Sequence, residues 1–493
     1  MSQPKKNRCF ASDVFKLASG TAIAQVLSII ASPILTRLYG PDTFGLSTLF
    51  ISITAVIGVV ACMRYEFSIM LPKKDEEAAN LLSLSIFFAV VVSVLTIPAF
   101  WFGGPIILRW LNAPGLGPYL WLVAPMVFIS GVFTALNYWN SRTRRFGRLS
   151  LANVGNSVAA TAIKLGAGFA GYTTAGSLIF GGFVGAAAAS LVLGLQIWRD
   201  DRRMLLKSMS WHDMTAGLRR YSRFPIFDTW SALLGTVAWQ LPVFLLSSFF
   251  SKTVVGYYGL GMIVLQLPMS LIGSSVAQVF FQKAAEAKFD GSLAFTVENT
   301  VTRLGMLVMF PLLLLALIGK ELFTVVFGAN WAEAGVYAQI LAIWIFFVFL
   351  GSPISTLFSI LEQQKTSLVI NILTIIARAG ALIIGGVMGD PRVAIALFSI
   401  VGVITYAGSS FWLLRQADAS ISKVLANLAK YLVYSVPMLF VVAFAKEFML
   451  LSPLAIVAVG GLASVPYYLI IIRRDDALRG SIGYMIRSIS SRK

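Results

Sequence analysis

The sequence predicts an all-α polytopic membrane protein, and two observations carry that prediction. Its 493 residues are 58% hydrophobic and 12% charged, about half the charge of an average globular chain. Apolar runs of about 20 residues recur from one end to the other, each long enough to cross a bilayer as a helix. A transmembrane barrel would show polar and apolar residues alternating over about ten-residue strands instead, and that alternation is missing.

Fourteen spans are expected, at about 14–36, 44–63, 81–101, 120–140, 151–171, 177–198, 224–248, 259–281, 299–319, 336–361, 368–389, 394–415, 431–446 and 454–472. The N-terminal MSQPKKNRCFASD is polar and basic, but the apolar run after it has full span length, so it reads as an uncleaved first helix rather than a signal peptide. On that helix Thr21, Gln25, Ser28 and Ser32 fall within about 60° of one another. This polar stripe on an apolar span is expected to face something other than lipid. The span closes on Arg37, Tyr39, Gly40 and Pro41, residues suited to a turn at the membrane surface. Cys9 and Cys62 sit in the tail and in a span, which excludes a disulfide framework. The lone His212 excludes a multi-histidine metal site.

An even number of spans places both termini on one side of the membrane. Of the 39 Lys and Arg residues, thirty fall in the tails and loops on that side, six in the opposite loops and three inside spans. The positive-inside rule then puts both termini in the cytoplasm. The same asymmetry accounts for the net charge of +18 without nucleic acid. The basic clusters RTRRFGR (142–148), RDDRR (199–203), RRYSR (219–223) and the tail from Arg473 are expected to meet anionic lipid headgroups.

Two features divide the chain. The longest polar interruption, 199–223, carries Trp211, Met214 and Leu218 among charges, and part of it is expected to lie as an amphipathic surface helix. The flanking halves echo each other: YGPDTFG (39–45) has the spacing of FSKTVVG (250–256), and GPY (117–119) matches GVY (335–337). These echoes predict two six-span lobes, 1–198 and 224–415, joined by the 199–223 linker and followed by two further helices and a basic tail at 416–493.

Candidate site residues come from charges inside the membrane, where a cation must be paired or solvated. Lys164 lies deep in the fifth span, on a face with Asn153, Ser157, Gly168 and Gly171. Arg378 lies near the middle of the eleventh, on a face with Asn371, Thr374, Ala381 and Gly385. Each is read either as a structural cation bound within the bundle or as a contact for an anionic ligand. Arg303 is shallower and suited to snorkelling. Arg64 can pair with nearby Glu66, and Arg37 can anchor the outer interface. No phosphate-binding loop, paired-histidine motif or GxSxG is present. The run GGFVGAAAAS (181–190) reads as a helix-packing seam.

SPILTRLYGPDTFG (32–45), RYEFSIMLPKKDEEA (64–78), VVGYYGLG (254–261), FGANWAEAGVYAQIL (327–341) and SPISTLFSILEQQ (352–364) together resemble the bacterial lipid-linked oligosaccharide flippases of the O-antigen (Wzx-like) type. That family belongs to the multidrug/oligosaccharidyl-lipid/polysaccharide exporter superfamily. The resemblance implies a V-shaped pair of six-helix lobes with a central cationic cavity. It also implies ion-coupled alternating access that turns an undecaprenyl-pyrophosphate-linked glycan to the outer leaflet of the inner membrane. On this reading the protein is not an enzyme. It has no cofactor, takes proton or sodium coupling as an open question, and has anionic lipids and other polysaccharide-assembly membrane proteins as partners. Lys164, Arg378, Arg303, Arg64, Arg37, Gln25, Asn153 and Asn371 are the candidate substrate-binding residues. The alternatives are a drug or organic-cation exporter of the same superfamily and, from another class, a membrane glycan polymerase or ligase.

Overall fold

The computed structural model describes residues 4–270, 274–449 and 451–474, and these contain helices and turns with no strand among them. Among the described residues twelve helices are long and apolar enough to cross a membrane, so the chain is a multi-pass membrane protein. That is two fewer than the spans expected from sequence. One difference is Phe146–Phe169, a 24-residue helix whose asparagines, serines, Arg148 and Lys164 keep it out of the apolar twelve. The other is the stretch 259–281, where the described residues form two shorter helices, Lys252–Leu265 and Ser274–Asp290. Residues 271–273 and the basic tail beyond Arg474 lie outside the described residues.

The chain divides into two compact units, 1–259 and 260–493. The first contains α1 (Pro4–Leu38), α2 (Pro41–Gly58), α3 (Tyr65–Ser68), α4 (Asp75–Trp110), α5 (Val123–Arg142), α6 (Phe146–Phe169), α7 (Ala175–Ser208), α8 (Trp211–Arg220) and α9 (Thr229–Phe249). The division falls within α10 (Lys252–Leu265). The second unit continues with α11 (Ser274–Asp290), α12 (Leu293–Phe327), α13 (Ala332–Ile354), α14 (Leu357–Ile360), α15 (Gln364–Val387), α16 (Pro391–Gln416), α17 (Ile421–Phe448) and α18 (Pro453–Arg474).

In the first unit the α1–α2 turn is set by Pro41 at the first helical position, where its missing N–H is not needed. The acidic first turn of α4, Asp75–Glu77, complements the helix dipole, as Arg109 does at its other end. The core packs Tyr65, Leu82, Leu136, Trp139, Leu193 and Met214. Met214 comes from α8, whose Trp211 stays 66% exposed, so the expected amphipathic helix exists and seats one face on the bundle.

The run 142–148 makes contacts within the protein. Arg142 donates to Asp75 at 2.9 Å, Arg145 holds both oxygens of Asp201 at 2.7 and 2.9 Å, and Arg148 binds Asp200. Trp139 Nε1 donates to the same Asp201 at 3.0 Å. Three of the four arginines therefore tie helices together, and Arg144 is the exposed one. Asp200 and Asp201 of RDDRR supply two of these partners and Asp75 at the start of α4 the third, each a charge-assisted contact.

The two halves of the YGPDTFG/FSKTVVG echo meet each other inside this unit. A Cβ on Gly45 would lie 1.7 Å from the Lys252 carbonyl oxygen, and one on Gly256 would lie 2.1 Å from the Pro41 carbonyl oxygen. In the alignment of the two motifs, Pro41 corresponds to Lys252 and Gly45 to Gly256, so the contact is reciprocal. Asp42 adds an ion pair with Lys252 at 3.5 Å and accepts from the Thr253 hydroxyl.

In the second unit α12 and α13 form a tight hairpin. A Cβ on Gly335 would lie 2.4 Å from the Gly319 carbonyl oxygen, and Gly328 turns the chain at φ +105°. α15 and α16 approach as closely, Gly385 meeting the Ala394 backbone. Asp390 caps α16 by accepting from the Arg392 amide.

Candidate functional site

The two deep cations, Lys164 and Arg378, lie on different helices, one in each unit. In the first unit α6 presents a polar face to α1. Ser157 Oγ donates to the Ala24 carbonyl at 2.8 Å and lies 3.0 Å from Ser28 Oγ. Asn153 Nδ2 is 3.4 Å from Thr21 Oγ1, and the Tyr39 hydroxyl donates to the Lys164 carbonyl at 2.7 Å. The stripe expected to face a cavity is thus partly used to hold α1 on α6. Hydroxyl pairs serve that purpose because an apolar surround offers no water to compete with them. Gln25 lies half-buried on the same stripe.

Lys164 sits one layer further in. Its aliphatic stem packs over Gly181 of α7, where a Cβ would come within 2.6 Å of Lys164 Cγ. Gly185, one turn on, meets the Asn156 backbone carbonyl, a Cβ there lying 2.7 Å from it. The seam 181–190 therefore packs against α6, with its glycines clearing room for the Lys164 stem. The residue is half-buried, and no carboxylate among the described residues forms an ion pair with its ammonium. Such a group attracts an anion without first having to leave a partner.

Arg378 has different surroundings. It is 6% exposed, with its guanidinium 4.6 Å from the Trp344 ring centroid and 4.2 Å from that of Phe398. The two rings meet edge to face at 5.1 Å, and Gly402 leaves the space that Trp344 fills. A planar cation between aromatic faces is a stabilising packing unit. Asn371, two turns away on α15, is exposed and bonded to Ser367 at 3.4 Å. Arg303 on α12 and Arg37 on α1 are exposed.

Arg64 occupies a site that sequence only half anticipated. Met63 and Arg64 both adopt left-handed backbone, φ 49° and 61°, which costs on the order of 1 kcal/mol per non-glycine residue. The turn aims Arg64 at three groups. Its Nε donates to Asp228 at 2.9 Å, its Nη1 lies 3.8 Å from Glu66, and its guanidinium stacks 4.3 Å above the Phe67 ring. Asp228 is delivered by a π-helical turn, Phe224–Asp228, a rare geometry that is frequent at functional sites. The Glu66 pairing is visible in sequence as an i, i+2 neighbour. The shorter Asp228 bond is not, because nothing local links residues 164 positions apart.

The second unit also has a half-open apolar pocket of about 390 Å³, lined by Met309, Phe346, Phe347, Leu350, Phe411 and Leu428 among others. Its walls are mostly apolar and suit hydrocarbon.

Residues 34–336 match the family described as polysaccharide biosynthesis protein. Among curated proteins, the teichuronic acid biosynthesis protein TuaB of Bacillus subtilis (strain 168) is 21% identical over 285 residues. That match spans 56% of this chain and 56% of TuaB. Among solved structures, the lipid II flippase MurJ in an inward closed conformation has a TM-score of 0.71 at 13% identity, over 93% of this chain and 98% of that one. An inward-facing multidrug resistance MATE family transporter of the MOP superfamily has a TM-score of 0.67 at 15% identity, over 80% and 94%. Both likenesses establish the all-α fold.

Proposed function

We propose that this chain, which belongs to the polysaccharide biosynthesis protein family, is a flippase for an undecaprenyl-pyrophosphate-linked oligosaccharide, an O-antigen or exopolysaccharide repeat unit. It moves the glycan from the inner to the outer leaflet of the bacterial cytoplasmic membrane by alternating access, with both of its own termini in the cytoplasm. The observation that carries the reading is Lys164, a half-buried ammonium on a membrane-length helix with no carboxylate paired to it among the described residues.

A pyrophosphate crossing the bilayer needs a cation to offset its lost hydration, and a half-buried ammonium does so more strongly than one in water. Arg378, held between two rings, supports the second unit and contributes less to headgroup contact than Lys164 does. Binding by itself moves nothing uphill, so direction must come from an ion gradient or from removal of product. The MurJ and TuaB likenesses agree with a lipid-linked glycan as cargo, and no catalytic motif argues for an enzyme.

The test is translocation of a labelled polyprenyl-pyrophosphate glycan in proteoliposomes, comparing wild type with Lys164→Met. Methionine keeps the apolar stem over Gly181 and removes the charge. The variant is expected to fold with a near-wild-type melting point and to flip at least about tenfold more slowly, a barrier change of about 1.4 kcal/mol. Wild-type flipping by Lys164→Met would remove Lys164 from the mechanism. Export of cationic dyes, with no glycan moved, would transfer the protein to the drug-exporter reading.

A further inference from the structure

Glu66 is an acidic group that the flippase reading leaves unused. It lies on α3, in the turn between α2 and α4, and is 4% exposed. Its Oε2 accepts no hydrogen bond among the described residues. Its only ion-pair neighbour there is Arg64, at 3.8 Å, beyond hydrogen-bond reach, and Arg64 is already bonded to Asp228 at 2.9 Å. Two carboxylates therefore share one guanidinium, and the buried one has the poorer share. An ionised carboxylate held this way lacks the donors that would replace its water.

The other groups facing Glu66 do not supply them. From the turn after α2 comes the Cys62 thiol, which donates instead to the Gly131 carbonyl at 3.3 Å. From α5 comes the Tyr138 phenol, whose ring packs edge-on against Phe67. From α4 the contact to this turn is Phe88, stacked on Tyr65 at 5.3 Å. From the π-helical turn comes Asp228, a like charge. Burial pushes the Glu66 carboxyl up, and Asp228 adds to that, while its own backbone amide and Arg64 oppose it.

We propose that Glu66 is a proton-binding site, and that its protonation decides whether Arg64 is shared between two carboxylates or held by Asp228 alone. The step is the simplest possible: a proton from water joins the carboxylate, and the Arg64–Glu66–Asp228 group passes from one net negative charge to neutral. In the ionised state the surplus negative charge repels an anion approaching Arg64. In the protonated state that repulsion is gone. The consequence for transport rests on the flippase reading, in which the cargo is a pyrophosphate. Proton uptake at Glu66 then accompanies anion binding on the same unit. The proton site itself depends only on the burial and partners of Glu66.

The experiment uses the full-length protein in detergent, wild type beside Glu66→Gln, from about pH 5 to about pH 8. Infrared spectra should show the carbonyl stretch of a protonated carboxylic acid in the wild type that Glu66→Gln lacks, titrating away as pH rises. Thermal unfolding should follow the same course. A carboxyl whose value is raised by folding stabilises the fold at acid pH, and that contribution disappears as pH passes through the raised value. The wild-type melting point should therefore fall over this range relative to Glu66→Gln. Asp228→Asn, which removes the neighbouring negative charge, should shift the infrared titration to lower pH. Absence of a wild-type-specific band at every pH overturns the proposal, even if the protein flips glycan. A titrating band in a protein that moves no glycan leaves the proton site standing and removes only its link to transport. With inorganic pyrophosphate as the probe, wild-type binding should strengthen relative to Glu66→Gln as pH falls; equal pH dependence in the two would sever that link.

Discussion

At the scale of single residues, the two deep cations show how two basic side chains serve opposite ends. Lys164 is half-buried with no ion pair among the described residues, whereas Arg378 is enclosed by Trp344 and Phe398. The difference lies in the side chain: a planar guanidinium is weakly hydrated and stacks on rings, which an ammonium on a flexible stem does poorly. Arg378→Lys should therefore destabilise the protein by about 1–2 kcal/mol, the range of a desolvated cation–π contact, read as a lower melting point in detergent. Arg378→Met separates packing from charge. If methionine restores the melting point that lysine lowers, the site needs volume, and the charge is kept for another purpose. If both variants are equally unstable, the stacked cation itself holds the second unit together. Sequence could locate Arg378 in mid-span, but its partners are aromatic residues on two other helices. In a span without acids there was no charge pattern to point to them.

At the scale of elements, close approach between helices depends on glycines at a few contacts. The α2–α10 contact is the tightest: Gly45 and Gly256 each abut the carbonyl of the first residue of the opposing helix. Gly45→Ala would force a methyl group to 1.7 Å from the Lys252 oxygen. Backbone cannot move aside as a side chain can, so α2 and α10 must separate. The variant should express poorly or melt well below wild type. Gly155→Ala on α6, where nothing lies within 4 Å, should be neutral or slightly stabilising, since alanine favours a helix by about 1 kcal/mol over glycine. Equal behaviour of the two variants would show that the α2–α10 contact is looser than described. These elements also mark what the sequence made legible. The motif echo and the small-residue run 181–190 are backbone-level signals, and both reappear as helix contacts. The polar stripe of α1 was ambiguous, because hydroxyls that line water and hydroxyls that bond a neighbouring helix are the same residues at the same spacing. Ser28 and Thr21 turned out to serve the bond to α6. The polarity of α6 has a related consequence: a helix that reads as a span in the sequence is membrane-length yet not apolar enough to stand among the twelve.

At the scale of the whole molecule, orientation can be argued without settling the number of crossings. Twelve spans and fourteen are both even, so either count returns the C-terminus to the side of the N-terminus. Which side that is depends on cationic residues near the ends of spans. Ion pairing within the first unit does not cancel the bias, because acidic residues contribute little to the rule; Arg142, Arg145 and Arg148 count despite Asp75, Asp201 and Asp200. These cations lie in short loops and in tails close to span ends, which is the regime in which the rule operates. A green fluorescent protein fused after Lys493 should therefore fluoresce, and alkaline phosphatase fused there should be inactive. Phosphatase fused after Arg392, in the turn between α15 and α16, should be active. The reverse pattern would put Arg64, Glu66 and Asp228 at the outer face. Glu66 would then draw its proton from outside the cell rather than from the cytoplasm. The proton and the glycan would have to enter from different sides, and the linkage argued for Arg64 would no longer load cargo on the leaflet where a lipid-linked glycan is made.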